Sequence, residues 1–323
     1  MAKLTLIDLA KRSGNDRQIG VVEAMTQNNA FWLSVPTRQV NQSMFKYQVR
    51  AGLPTVGFRA LNAGVTPGKS VIKDVVVECK NMFGLSQVDK AIADRDPQGA
   101  ASFIAKENAS FLAAGANTFN SKVYYGNTAT TGAEIDGIGT ILSALGGTCI
   151  SAAGATASVQ TSMYFFSFSD ATGTNGTLPG VDVPYFGGLP EMRELGETVV
   201  YQTGSTTAMY TAYTSVFGFD PAFAVYDSRS VGRLCNIQLG QATLTYPTVA
   251  LMNEVITAMY PYVPDLITCS KACYNAVQGL KGTSAFQQTA PYESSEIFKR
   301  ATVFNGIPIM IDENITATEA IVS

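Results

Sequence analysis

The sequence FKYQVRAGLPTVGFRALNAGVTPGKSVIKDVVVEC occupies residues 45–79, and the architecture of the chain follows from it. Residues 45–49 alternate apolar and polar side chains, with the period of two that predicts a half-buried strand. A second run, residues 71–79, has valines at alternate positions and is interrupted by Lys73. The segment between the runs, residues 52–70, is rich in Gly, Pro and Asn, which are turn residues. We therefore predict a long two-stranded hairpin with an elaborated tip, a structure that is marginal in water unless something covers it.

The composition is poor in charged residues. Of the 323 residues, 46% are apolar, which is ordinary, but only 15% are charged, below the usual quarter. A surface with so little charge indicates either a protein covered by copies of itself or a Ser/Thr/Gly-rich secreted β protein. The net charge of −3 gives no cationic field for nucleic acid or anionic lipid.

Several classes of chemistry are excluded by residue types. The chain has no histidine, which removes Ser-His-Asp triads, Cys-His pairs and most zinc sites. The five cysteines are scattered, and only Cys269 and Cys273 lie close together, so we interpret them as small buried residues in a reducing compartment. Asp8 interrupts what would be the apolar core of a signal peptide. The uncharged stretch 137–169 is broken by Gly, Ser, Thr and Gln, so it predicts no transmembrane helix.

The remaining elements follow from periodicity. Two short N-terminal helices precede an extended stretch around Trp32, and a long helix is predicted over 97–120, opened by Asp96 and Pro97. Residues 128–245 are β-like and rich in loops, with an aromatic strand at 161–169, another at 223–227 and turn chemistry at 186–190. A helix from Pro247, a shorter one over 268–278 and a strand over 303–311, which Pro308 places at an edge or a bulge, complete the prediction.

Three polar motifs contain residue types that occur in binding or catalytic sites. Gly64 to Ser70 resembles a phosphate-binding loop, but one residue is missing from its spacing and it opens a strand instead of a helix. The carboxylates Glu191, Glu194 and Glu197 indicate a solvated turn or a subunit contact rather than an acid–base pair. The cluster Asp227, Arg229 and Arg233 suits bidentate pairing that orients a loop or an interface.

The order of elements and several scattered stretches resemble a known family. The stretches are Leu6–Arg12, Val49–Arg59 with Asn62 and Gly64, Tyr125–Asn127, Asp227–Ile237, and Phe304–Ile309 with Asp312. They are similar to the Hong Kong 97-type major capsid proteins of tailed double-stranded DNA bacteriophages, in a podophage-type branch. The fold, which encapsulin shells share, is α+β, with an N-terminal arm, an extended hairpin loop, a spine helix, and peripheral and axial domains.

The resemblance implies a division of the chain. It assigns residues 1–44 to the arm, 45–94 to the extended loop, 95–189 to the peripheral domain with the spine helix at 97–120, 190–290 to the axial domain with part of the peripheral domain, and 291–323 to a returning peripheral strand and the C-terminus. Some relatives cross-link subunits through a Lys–Asn isopeptide bond. Lys46 and Lys69 lie in the loop here, but no motif identifies an acceptor. The start at Met1 favours a separate scaffolding protein over a removed scaffolding segment.

The function implied is that of a non-enzymatic coat protein that self-assembles into an icosahedral head. We expect no cofactor and no membrane partner. We expect hexamers and pentamers of the chain itself, a scaffolding protein, a portal, a possible decoration protein and non-specific contact with packaged double-stranded DNA, with assembly in the host cytoplasm and residence in the virion. Candidate contacts between subunits are Trp32, Arg50, Arg59, Asn62, Lys69, Asp227, Arg229 and Arg233. The alternatives are an encapsulin-like compartment and a phage tail or secreted β-rich binding protein.

Overall fold

A computed structural model describes residues 6, 11, 21–22, 29–169, 178–204, 206–240, 244–280, 286–288 and 302–323. The helices are α1 (Ala30–Ser34), α2 (Lys90–Ala93), α3 (Ala100–Tyr125), α4 (Ile138–Ile141), α5 (Val249–Ala258) and α6 (Lys271–Gln278). The strands are β1 (Thr37–Val40), β2 (Met44–Gly52), β3 (Val71–Glu78), β4 (Met82–Asp89), β5 (Cys149–Ser151), β6 (Gln160–Phe166), β7 (Val181–Tyr201), β8 (Met209–Pro221), β9 (Ala224–Val225), β10 (Val231–Gln238), β11 (Leu266–Cys269), β12 (Phe286–Gln288), β13 (Thr302–Phe304) and β14 (Ile307–Ile311).

The predicted hairpin is confirmed. Strands β2 and β3 pair antiparallel from Met44 opposite Glu78 to Gly52 opposite Val71, and they form a two-stranded sheet of their own. The connecting residues 53–70 contain neither helix nor strand. The alternation of residue types therefore set the register, and the Gly- and Pro-rich stretch formed the tip.

A five-stranded sheet follows the hairpin, in the order β1-β7-β8-β4 with β9 beside β7. β1 runs parallel to β7, while β8 pairs antiparallel with both β7 and β4. β7 continues through residues 186–190, where the sequence predicted a turn. Its register with β8 shifts between Phe186 and Glu191, and Gly187 has φ +77°. The glycines therefore form a β-bulge instead of a chain reversal.

The second sheet has the order β12-β13-β14-β11-β6-β10-β5 among the described residues. All seven residues of β6 are buried, and the apolar and aromatic run Met163–Phe166 fits a strand that is covered on both faces. Helix α5 packs on β10, where an added Cβ on Gly232 would lie 2.6 Å from Val255 and 2.8 Å from Met259. The strands of this sheet come from three of the predicted domain ranges, 95–189, 190–290 and 291–323. The domain boundary predicted between residues 189 and 190 falls inside β7.

Helix α3, the predicted long helix, bridges the two sheets. Near its middle Gly115 lies against the Phe217 ring of β8, and a Cβ added to Gly115 would lie 3.1 Å from that ring. At its C-terminal end the Tyr124 ring lies 4.9 Å from the Tyr164 ring of β6. The Tyr124 hydroxyl also donates to Asp312 at 2.9 Å. The helix therefore fixes the position of one sheet against the other.

Two predicted boundaries were wrong for local reasons. The helix expected from residue 97 begins at Ala100, because Asp96 closes a turn by accepting from the backbone of Gln98 and Gly99. The helix expected from residue 268 begins at Lys271, capped by Ser270. The preceding residues, β11, are instead a buried strand between β6 and β14.

The final strand prediction was also corrected. Residues 303–311 are two strands, β13 and β14, joined by Asn305 and Gly306, whose φ values of +49° and +85° are those of a tight hairpin turn. β14 lies between β13 and β11, so Pro308 is in an interior strand and not at an edge. The Asn-Gly pair was a hairpin signal that the prediction did not use.

Most described residues of the N-terminal segment pack inside their own chain. Leu6, Val21 and Val22 belong to the main core cluster, together with Phe31 and Trp32 of α1. The two N-terminal helices predicted before residue 28 otherwise fall outside the described residues. The apolar surface of these side chains is covered within the chain, so they offer none of it to a neighbouring subunit.

Candidate functional site

The tip of the hairpin, residues 53–70, is the largest uncovered apolar segment on the described chain. Phe58 is fully exposed, and Leu61 and Val56 retain 94% and 89% of their accessible surface, with Leu53 and Val65 also exposed. The tip contains two cationic residues and no carboxylate. Burying five such side chains would stabilise a complex by about 1.5–3 kcal/mol each before ordering costs. A surface of this kind indicates a protein–protein contact.

Three candidate contact residues lie on this tip. Arg59 is exposed and donates from Nη1 to the carbonyl oxygen of Ala63 at 2.9 Å, which shapes the turn but leaves the rest of the guanidinium open. Asn62 has φ +65°, a left-handed conformation that asparagine tolerates, and it is exposed. Lys69 is exposed as well. Arg50 lies lower on the hairpin, in β2 opposite Ile72.

Asp227 and Arg229 form an ion pair beside the 3-10 turn that precedes β10. The Arg229 Nη2 lies 2.7 Å from Asp227 Oδ2, and the Tyr262 hydroxyl donates to the same oxygen at 3.2 Å. Partial burial alone would raise the pKa of Asp227. Hydrogen bonds from the Arg229 side chain and backbone, with the charge of that guanidinium, outweigh it and lower the pKa. Arg229 remains exposed, so this pair stays a predicted interface feature.

Trp32 and Arg233 are not surface residues, which corrects two of the candidate contacts. The Trp32 side chain has no exposed surface, and its ring lies 4.7 Å from the Phe119 ring. Arg233 is 5% exposed, and its Nη2 donates to Glu319 Oε2 at 2.8 Å. Phe119 and Glu319, the partners of these two residues, are distant from them in the sequence. The local sequence pattern therefore could not distinguish an internal role from an interfacial one.

A buried polar cluster at the base of the hairpin was not anticipated. The parallel pairing of β1 and β7 brings Arg38 to Asp182, with Nε 2.7 Å from Oδ2, although Asp182 is fully buried. The Tyr226 hydroxyl donates to Asp182 at 2.9 Å and accepts from Arg38 Nη2 at 2.7 Å. From β2, the Tyr47 hydroxyl donates to the carbonyl of Val225 at 2.7 Å. The one sequence pattern that pointed to this cluster is the alternation in β2, which places Tyr47 on the face that points toward the body of the subunit.

The described residues hold no group of three or more Cys, Asp or Glu placed to bind a metal ion. All five cysteines are free and buried, with the Cys149 and Cys235 sulfurs 3.8 Å apart. Within the part of the chain that the structure covers, no helix has the length and apolar character required to cross a bilayer.

The chain is similar to phage structures that have been solved. The structure of bacteriophage Epsilon15 is similar over 88% of this chain and 87% of that chain, with 22% identity and a TM-score of 0.63. The capsid of bacteriophage JBD30 aligns over 90% and 92% of the two chains, at 10% identity and a TM-score of 0.49. A comparison with curated proteins finds no match. The Epsilon15 likeness confirms the predicted α+β, Hong Kong 97-type fold.

The sequence itself carries the assignment to a family. The family model described as "Major capsid protein GP7" matches residues 13–323, which is nearly the whole chain. The predicted relationship to phage major capsid proteins is thereby confirmed, and the encapsulin and tail-protein alternatives are not favoured. The chain belongs to the GP7 family of major capsid proteins, the proteins that build the head shell of a bacteriophage.

Proposed function

We propose that this chain builds its shell by laying the hairpin tip, residues 53–70, on a neighbouring copy. The observation that carries the proposal is the tip itself: apolar side chains that are almost wholly exposed on a two-stranded sheet that joins neither larger sheet. A two-stranded hairpin gains little stability alone. A neighbouring copy that covers Phe58 and Leu61 would supply the missing burial.

The cationic residues of the tip add a second requirement. Arg59 and Lys69 are the charges of the tip, and no carboxylate within it neutralises them. The receiving surface must therefore offer acidic or carbonyl oxygens next to apolar side chains. Arg59 suits such a partly desolvated contact better than a lysine, because its planar guanidinium is weakly hydrated and binds carboxylates through two parallel hydrogen bonds.

The wider role follows from the family and the composition. We propose that the shell, built of hexamers and pentamers, encloses double-stranded DNA and acts without catalysis. A scaffolding protein and a portal assist, and a decoration protein binds where one is present. The net charge of −3 supports an inner face that does not hold phosphates tightly, because many fixed phosphate contacts would resist packaging and ejection. The five free thiols support assembly in a reducing cytoplasm.

The test is a charge reversal on the tip. Arg59→Glu should abolish particles in negative-stain images and in sedimentation velocity, while circular dichroism shows a folded subunit. Lys271→Glu, the same charge change at an exposed position of α6, is the matched control and should assemble normally. Normal particles from Arg59→Glu would overturn the role of this residue. Normal particles from Phe58→Ser as well would overturn the role of the tip.

A further inference from the structure

At the base of the hairpin, two aromatic side chains of β2 contact the buried polar cluster described above, and assembly alone does not explain these contacts. Phe45 and Tyr47 are on the face of β2 that points toward the body of the subunit. The Arg38 guanidinium lies 5.1 Å from the centre of the Phe45 ring, and the Tyr47 ring lies 4.7 Å from the Tyr226 ring, edge to face. Arg38 and Tyr226 are in turn both bound to the buried carboxylate of Asp182. One buried charge therefore organises both Arg38 and Tyr226, the two residues whose side chains contact Phe45 and Tyr47.

A cavity of about 590 Å³ lies beside these contacts. Val75 and Val77 of β3 line it on the hairpin side, and Ile135, Asp136 and Phe223 line it on the body side. Tyr47 and Tyr226 also line it, so the polar cluster borders the cavity directly. The cavity is open to solvent, so the valines of β3 that line it are not packed against the body there. Packing therefore does not hold this part of the hairpin against the body.

We propose that Arg38, Asp182, Tyr226 and Tyr47 form a latch that fixes the angle at which the hairpin leaves the body. The inference deepens the proposed function, on which it rests, because this angle determines where the tip arrives on a neighbouring copy. The latch residues are positioning residues: they contact the hairpin base and lie away from the tip.

The chemistry of the latch suits a fixed joint. Asp182 receives the Arg38 Nε on one oxygen and the Tyr226 hydroxyl on the other, so the direction of both groups is set. The Tyr47 hydroxyl then joins the hairpin to the backbone of β9 through Val225. Burial raises the pKa of Tyr47 to about 12, with the charge of Asp182 adding to the rise, so the hydroxyl keeps its proton at neutral pH.

The experiment measures the angle directly. Thr55→Cys on the tip and Thr130→Cys on the body are exposed positions for a pair of spin labels, and the five native cysteines are buried. The labelled full-length chain is diluted into an excess of unlabelled chain, so that pulsed electron resonance reports distances within one copy. Four backgrounds are compared: the parent, Tyr47→Phe, Asp182→Asn, and the control Gln48→Ala on the opposite face of β2.

The latch predicts a narrow distance distribution in the parent and in Gln48→Ala, and at least a twofold wider one in Tyr47→Phe. Asp182→Asn should widen it further. If Asp182→Asn fails to fold, Tyr47→Phe still decides, since it keeps the ring contact with Tyr226. An unchanged width in Tyr47→Phe would overturn the latch. A wider distribution in Tyr47→Phe, together with normal particles from Arg59→Glu and Phe58→Ser, would keep the latch but refute the proposed role of the hairpin. An unchanged width in Tyr47→Phe, together with loss of particles in Arg59→Glu, would refute the latch and keep the role of the hairpin.

Discussion

Removing the charge of Glu319 should cost the subunit about 3–5 kcal/mol of unfolding free energy, the typical loss when one partner of a buried ion pair is deleted. The side chains of Glu319 and Arg233 are only 5% and 6% exposed. Glu319 also accepts from the hydroxyls of Tyr125, at 2.7 Å, Tyr164, at 3.3 Å, and Ser162. In Glu319→Gln the guanidinium of Arg233 keeps its hydrogen bond to the carbonyl of Leu142 but has no counter-charge. A buried unpaired cation is the expected source of the loss.

The assay is denaturant unfolding of the unassembled chain, followed by the fluorescence of Trp32, the one tryptophan and a fully buried one. The matched control is Glu134→Gln, which breaks the more exposed Lys122–Glu134 pair and should cost less than about 1 kcal/mol. Arg233→Met combined with Glu319→Gln should lose less than the sum of the two single losses, by about 1–3 kcal/mol. Equal losses in Glu319→Gln and Glu134→Gln would refute the reasoning, because burial is what separates the two pairs.

Two further predictions concern packing and pH. Gly232→Ala should lower the unfolding free energy by about 1–3 kcal/mol, because the added Cβ would meet Val255 and Met259. The control Gly218→Ala, whose added Cβ has nothing within 4 Å, should be neutral or slightly stabilising. Equal effects of the two substitutions on the unfolding free energy would contradict the packing of α5 on β10. The folded-state pKa of Asp227 lies below its unfolded value, so its contribution is complete above the unfolded pKa and is lost as the pH falls through the folded one. The stability difference between wild type and Asp227→Asn should therefore be constant from about pH 7 to 5 and shrink below about pH 4; a difference independent of pH would count against the Arg229 pairing.

The elements that the sequence predicted well are those whose pattern is local. The alternation in residues 45–49 and 71–79 needed no distant partner to indicate a hairpin, and the local periodicity over residues 97–120 indicated the long helix. The marginal stability of a long two-stranded hairpin likewise indicated that another surface covers it.

The elements that were missed depend on partners far along the chain. Four buried residues at 266–269 become a strand because β6 and β14 lie on either side, about 100 and 40 residues away. Arg233 is internal because Glu319 is folded over it, and Arg38 is organised by Asp182 across a parallel strand pair. Charge clusters of this kind look the same in a sequence whether they end in a core or at an interface.

In this account the latch fixes the angle of the hairpin, and the tip of the hairpin contacts the neighbouring subunit. The central claim is the contact of the tip, and it can be measured without knowing the geometry of the shell. Subunits with a photoreactive benzophenone amino acid in place of Phe58 are assembled from equal amounts of ¹⁴N- and ¹⁵N-labelled chain, irradiated in the particle and digested for mass spectrometry. Cross-linked peptides that pair one isotope with the other are the predicted result, since the tip then lies on a second copy. Cross-links confined to peptides of the same isotope would place the tip on its own chain and contradict the account.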